Sequence, residues 1–537
     1  MKATLKPLGL AAAVAAVTAG YSGVSQAQAV LANNSLGDTA IIPYYTVAGN
    51  FVTGVHVINT DPVNTQVVKL RLRRGSDSMD ALDFNLILSP NDEWTGFIDD
   101  SSGQVVFATE DNSCTAPLRA DGRFPMPGLY EEGAEEGYIE VMGMAAAPKG
   151  SAIAAGALHG PDGVPADCQA VESNFFRVAT DAAVSWPAGT VGAAGDNGVY
   201  ASDLTGQTCT DAIALGIQAI SFGTTCASNG YEILRNDYAQ TDNVLKVSFF
   251  HRDATSGLEF GNSAVHLADF SNEAMMSNQE VFVQDDLDEF GYFFPDLNGG
   301  SPVDNSRSRF TSVRAALGAS AVINDWSVAA ARNVSTDWVV TLPGQYTMLD
   351  LQQYTNSLFD ADEDCLTVEQ AEADEDLDPD NFKFYCDERD LPVELTIRVW
   401  DREEQTFSTP DSGLVISPAT TTTPGSDILE NEVNVLQWTD GSIEPVLESI
   451  YAKKYDVSAL GAENGWAKLS VEAPDNKTQG IYNWSDSITA EYAVFDSLAN
   501  INIPIVGFVA WERSFPSDPS ANYGRIVEHS YESGTPN

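Results

Sequence analysis

The sequence predicts a mainly β protein of antiparallel β-sandwich architecture, immunoglobulin-like or jelly-roll-like, with two packed β domains and few short helices. Three observations carry that expectation. Apolar and polar residues alternate with period two in several segments, as happens when one face of a strand packs on a core. Turn-forming clusters such as Asn59-Thr60-Asp61-Pro62 and Arg74-Gly75-Ser76-Asp77 punctuate those segments. Helical periodicity is sparse, which argues against an alternating α/β plan.

The chain opens with a short basic stretch ending at Lys6, an apolar run from Leu8 through Ala19, and a small-residue zone ending Ala27-Gln28-Ala29. This is the plan of a secretory signal peptide over residues 1–29. The apolar run is shorter than the roughly 20 residues a spanning helix needs. The chain is therefore expected to be exported, without a membrane-spanning segment once the signal is removed, and to work in the medium, at the cell surface or in the periplasm.

An N-terminal β-sandwich domain is expected over 30–251, with strands at 40–48, 51–59, 66–73, 83–89, 94–98, 137–143 and 245–249 and a long loop insertion near 145–230. Within Gln66–Arg73, Val68, Leu70 and Leu72 face one way and Lys69, Arg71 and Arg73 the other, toward water. Those cations, with Arg74, have two readings: pairing with acidic neighbours across the sheet, or meeting acidic residues of another molecule. The layout of 40–98 resembles an immunoglobulin-like sandwich of bacterial surface and assembly proteins. A connector follows at 252–330, where Val313, Ala316, Leu317 and Ala321 predict a helix over 312–322. A C-terminal β domain is expected over 331–531, with strands at 335–342, 393–399, 466–472 and 504–511, an acidic loop insertion at 354–390, a loop at 408–426, and a tail at 532–537.

Composition narrows the partners. The formal net charge of −50 repels nucleic acid and anionic lipid, so no nucleic-acid partner is expected. The same charge is solvating, and it attracts cations. Six cysteines, Cys114, Cys168, Cys209, Cys226, Cys365 and Cys386, predict disulfides in an exported chain. Spacing favours Cys209 with Cys226 and Cys365 with Cys386, which leaves Cys114 with Cys168. None forms a C-x-x-C pair.

Catalytic signatures are missing: there is no Gly-x-Ser-x-Gly elbow, His-Glu-x-x-His or P-loop. His56, His159, His251, His266 and His529 lie far apart in sequence. Carboxylates are too abundant for any pair to stand out as a glycosidase dyad. Trp94, Trp186, Trp326 and Trp438 could line a sugar-binding face, but core packing accounts better for most of them. One segment stands apart. Residues 360–380 hold eleven carboxylates and no basic residue, most of them between Cys365 and Cys386. Asp374, Asp376, Asp378 and Asp380 set hard oxygens on alternate residues, the spacing with which one loop can curl around Ca2+. The other reading is a solvated acidic loop.

Phe84-Asn85-Leu86-Ile87-Leu88-Ser89-Pro90, Thr336-Asp337-Trp338-Val339-Val340-Thr341-Leu342-Pro343, Trp400-Asp401-Arg402-Glu403-Glu404 and Asn431-Glu432-Val433-Asn434-Val435 together resemble a group of uncharacterised secreted β-rich proteins of Gram-negative bacteria. The resemblance implies a secreted bacterial origin and transfers no functional residue. The expected function is a secreted or cell-surface non-enzymatic structural or interaction protein stabilised by calcium, with a protein, a cell-surface polysaccharide or itself as partner. The alternative is an extracellular carbohydrate-active or other hydrolase that uses acidic residues.

Overall fold

A computed structural model describes residues 29–172 apart from 102, 129–130 and 132, and then 238–271, 274, 297, 307–344, 393–406, 426–471 and 503–532. It is mainly β, with several antiparallel sheets packed together. The first lobe has two sheets. One runs in the order Val30–Leu31, Val265–Ala268, Thr39–Thr46, Glu136–Ala147, Thr65–Arg74, Asp80–Leu88, Cys114–Ala116. The other runs Glu259–Ser263, Leu245–Asp253, Phe51–Asn59, Glu93–Asp99, Val106–Ala108, Arg123–Pro125. Tyr44, Val55, Val57, Phe84, Leu86, Trp94 and Phe107 are buried in one core. Cys114, at the edge of the first sheet, is disulfide-bonded to Cys168 on the short helix Cys168–Glu172.

Two expectations change here. The stretch read as a connector supplies strands to both lobes: 259–263 and 265–268 complete the first, and Ala321–Ala329 belongs to the second. Its helix spans Arg307–Leu317 and stops there, because Gly318 breaks it. Ala321, expected to continue its spacing, pairs instead as strand with Ser470, and Val322 beside it with Leu469.

The strand Thr65–Arg74 brings a correction. Its alternation is real, but both faces are buried, so Lys69, Arg71 and Arg73 do not face water. Carboxylates from the two flanking strands accompany them inside. Lys69 Nζ lies 3.0 Å from Asp83, Arg71 Nε 2.9 Å from Asp80, and an Arg73 guanidinium nitrogen 3.2 Å from Glu140. Buried cations persist only when paired in this way. Pairing across the sheet is therefore their role, and contact with another molecule is ruled out by burial.

The second lobe is a ten-stranded network folded into two layers. The fold line is the strand 321–329. Residues 321–327 pair with Asn464–Val471, while Val328 and Ala329 pair with Ser335 and Val334. The outer layer contains Ser426–Leu429, Val393–Asp401, Asn464–Val471 and Ser530–Glu532; the inner contains Ala452–Asp456, Val433–Thr439, Val334–Thr341, Val506–Arg513 and Tyr523–Glu528. Side chains alternate across the inner layer. Val339, Val435, Phe508 and Ala510 join the first lobe's core, whereas Trp338, Val340, Leu436 and Val509 pack in a second core with the outer layer. Gly507 permits the close approach of two inner strands, since a Cβ there would stand 2.0 Å from the Val339 carbonyl oxygen, at a φ of +156°.

The lobes are also joined by polar bonds. Thr341 Oγ1 donates to the Pro43 carbonyl at 2.6 Å. Glu136 accepts from Ser449 Oγ at 2.6 Å and from the Ile450 amide at 3.0 Å.

Candidate functional site: a cationic and aromatic groove

The inner strand Val506–Arg513 explains where the groove comes from. Its row facing the outer layer reads Val509, Trp511, Arg513, so it begins in the core and ends in cation. Register continues each rung onto the neighbouring strands. Val509 pairs with Trp338 and Val527, Trp511 with Thr336 and Arg525, and Arg513 with Val334 and Tyr523. Trp338 and Val509 are buried, while Arg513, Tyr523 and Arg525 are exposed. The row leaves the core without changing face, and a groove of about 560 Å³ opens at this end of the sandwich.

The opposite wall comes from the outer layer: Asn324, Asp325, Trp326, Asn464, Gly465, Trp466 and Arg402. Gly465 lets the neighbouring strand close in, because a Cβ there would meet the Trp400 carbonyl oxygen at 1.9 Å. Trp400 and Trp466 are cross-strand partners whose rings stack at 4.1 Å and 11°, and Trp466 keeps 38% of its surface exposed. Trp326 Nε1 donates to the Trp400 carbonyl at 3.2 Å and Trp338 Nε1 to the Asp325 carbonyl at 2.8 Å, which ties this wall to the core. Asp401 accepts from the amides of Glu403 at 2.9 Å and Gln405 at 2.7 Å, fixing the turn that presents Arg402.

Four arginines, Arg332, Arg402, Arg513 and Arg525, line this groove in a chain with 27 basic and 77 acidic residues. Arg332 pairs with Glu463 at 3.0 Å. The Arg525 guanidinium lies 4.8 Å from the Trp511 ring centre, and that of Arg513 5.3 Å from Phe515. Contacts of this kind hold a guanidinium over a ring face and leave its N–H edge available. Tyr523 stands 5.7 Å from Trp511 and 6.3 Å from Phe515, which closes a ladder of alternating rings and cations. Asp325 is the single carboxylate among the lining residues.

The histidines do not form a catalytic cluster among the described residues. His56 and His159 lie beside Glu93 and Asp92. His251 hydrogen-bonds Thr53 at 3.1 Å within a ring of Tyr44, Phe249, Phe260 and Phe508, and burial pushes it down to about 3. His266 and His529 do share a cleft of about 360 Å³ between the lobes, with Phe249, Leu317, Phe508 and Tyr531. Both ring nitrogens are used in each. His266 accepts from the Val247 amide and bonds the Ala264 carbonyl; His529 bonds the Val339 carbonyl and the Asn324 side chain. Burial pushes both down to about 4, so they are neutral structural groups.

Trp94, Trp326 and Trp438 are buried, as core packing requires; Trp186 lies outside the described residues. Trp326 also lines the groove, with Trp466, and the groove's own row supplies Trp511 and Tyr523. Their signal in the sequence was faint: an aromatic followed two residues later by arginine, at Trp511 and Arg513 and again at Tyr523 and Arg525. Asp374, Asp376, Asp378 and Asp380 lie outside the described residues, as do Cys209, Cys226, Cys365 and Cys386. Among the described residues no group of three or more His, Cys, Asp or Glu side chains is placed to hold a metal. In comparisons with known proteins, no family model, curated protein or solved structure matches this chain.

Proposed function

We propose that this is an exported, non-enzymatic interaction protein of the bacterial cell surface or periplasm, and that the cationic and aromatic groove is its binding surface. The observation that carries this reading is the gathering of four arginines, with exposed Tyr523 and half-buried Trp511, around one groove of a strongly acidic chain. The export pattern at residues 1–29 supports the location. Binding is favoured over hydrolysis because a glycosidase needs two carboxylates across the scissile bond, and the lining offers Asp325 alone among the described residues.

Attachment is the test. The mature protein is expected to be retained by envelope or matrix material of its producing cells. A variant carrying Arg402→Gln, Arg513→Gln and Arg525→Gln is expected to lose that retention. Equal retention of the variant sinks the proposal. Calcium at Asp374, Asp376, Asp378 and Asp380 is a separate part of this reading, and it predicts a higher Tm in calcium than in chelator. An unchanged Tm removes it.

A further inference from the structure

We infer that the groove takes an acidic saccharide, a chain of sugar rings bearing carboxylate or sulfate groups. This rests on the binding role proposed above and names its ligand class.

The first argument concerns the arginines. Arg402, Arg513 and Arg525 make no ion pair and no side-chain hydrogen bond among the described residues, although the chain has 77 carboxylates to offer. Arg525 and Arg513 are instead held against Trp511 and Phe515. A guanidinium restrained on a ring has already lost much of its rotamer freedom, so less is lost when it forks onto an anion. Its planar N–H edge matches a carboxylate or sulfate bidentately.

The second argument is spacing. Trp511 and Arg513, and Tyr523 and Arg525, are two residues apart on adjacent antiparallel strands. Neighbours on one face of a strand stand about 6.6 Å apart. The groove thus alternates flat apolar faces with forked cations over short steps, and Trp466 belongs to its far wall. A polymer in which every anionic group is mounted on a ring with a C–H face meets both features together. In an acidic peptide the carboxylates hang from flexible stems and the rings have nothing to cover. Nucleic acid carries phosphates more densely than a saccharide with one anion per ring, so the charge of −50 opposes it more strongly. The same charge weakens approach of any polyanion, but at about 0.15 M salt carboxylates more than roughly 8 Å away are largely screened, whereas the contact arginines are not.

Calorimetric titration of the mature protein tests this with four probes: oligogalacturonate, a sulfated galactan oligomer, methyl-esterified oligogalacturonate and polyglutamate of matched charge. One or both acidic saccharides are expected to bind, with the neutral ester and polyglutamate at least tenfold weaker. Arg525→Gln and Tyr523→Ala are each expected to weaken saccharide binding tenfold or more, with Tm lowered by no more than a few degrees. Both side chains are surface groups, and Arg525→Lys, which keeps charge but not the fork, should recover only part of the loss. Polyglutamate binding as tightly as the saccharides, or indifference to Tyr523→Ala, overturns the saccharide assignment in favour of an acidic protein partner. No binding of either saccharide overturns it as well. If the triple arginine variant still loses attachment to cell material in that case, the interaction role stands and only the ligand class falls.

Discussion

This protein gathers strand-borne cations in two places, three at alternate positions of one strand and one on each of two neighbouring strands, and it treats the two groups in opposite ways. On Thr65–Arg74, Lys69, Arg71 and Arg73 are enclosed on both faces and matched by Asp80, Asp83 and Glu140. At the end of Val506–Arg513 and on Tyr523–Glu528, Arg513 and Arg525 stand at an open rim against aromatic rings. The difference lies in what flanks each strand. The first is central in its sheet, between Glu136–Ala147 and Asp80–Leu88, and both neighbours bring carboxylates. The second runs out of its core into solvent, where its rung partners are Thr336, Val334 and Tyr523. A row of cations is structural where the neighbouring strands answer it in kind, and available where they do not.

The largest effect should come from breaking the enclosed row. Glu140→Ala removes the carboxylate 3.2 Å from Arg73 and leaves a buried guanidinium short of its countercharge. Such a loss costs about 3–5 kcal/mol, read as a lower denaturant midpoint. A cost below about 1 kcal/mol would mean that Glu140 is dispensable to this buried network.

A pH series separates the interior from the rim, because buried groups titrate near neutrality and the arginines do not. Burial pushes Glu136 and Asp337 up to about 7, against amide and hydroxyl hydrogen bonds that favour the charged forms. An acid whose pKa is raised on folding takes up a proton in the native state before the unfolded chain does. Stability therefore rises as pH falls through 7, by about 1.4 kcal/mol per pH unit for each such proton. His251, His266 and His529 act in the other direction. Burial lowers them, so below about pH 6.5 the unfolded chain binds protons that the native state refuses. Glu512, also raised to about 7, and Asp38 and Asp80, raised to about 6, add to the gain. Stability should therefore climb from pH 8 to about 6.5 and more slowly below, where the histidines oppose it. Asp337→Asn keeps an oxygen for the Val446 and Leu447 amides, now held at 3.0 and 2.8 Å, and should reduce the gain between pH 7 and 6 by about 1 kcal/mol. An undiminished gain would remove Asp337 from this account.

How legible these features are in the sequence depends on how far apart their parts lie. The strands are readable because period-two alternation is local, and Thr65–Arg74, Leu245–Asp253 and Val393–Asp401 each contain the stretch the alternation marks. The burial of Lys69, Arg71 and Arg73 was not readable, since alternation says which residues share a face and nothing about what covers it. Glu140, which decides the matter for Arg73, is 67 residues away. The groove was less legible still. Trp400 and Trp466 meet only through the register of two strands, and Trp511 looks like a strand end until Arg525 and Tyr523 are placed beside it. The buried tryptophans were the more visible ones, because they sit within apolar runs.

The smallest expected effect is the most telling for the comparison. Arg525→Gln should change stability by no more than about 0.5 kcal/mol, as for an exposed side chain without a buried partner. Its contact with Trp511 is of the exposed cation–π kind, worth roughly 0.5–1 kcal/mol, and glutamine retains part of that packing. Salt provides the cross-check. Raising ionic strength from about 0.1 to 1 M shortens the screening length from about 10 to 3 Å, which should weaken ligand capture at the rim and leave the cost of Glu140→Ala nearly unchanged, since enclosed pairs are screened much less. If Arg525→Gln instead proves as costly to folding as Glu140→Ala, the rim arginine is part of the scaffold. The two cationic rows would then differ in exposure and not in role.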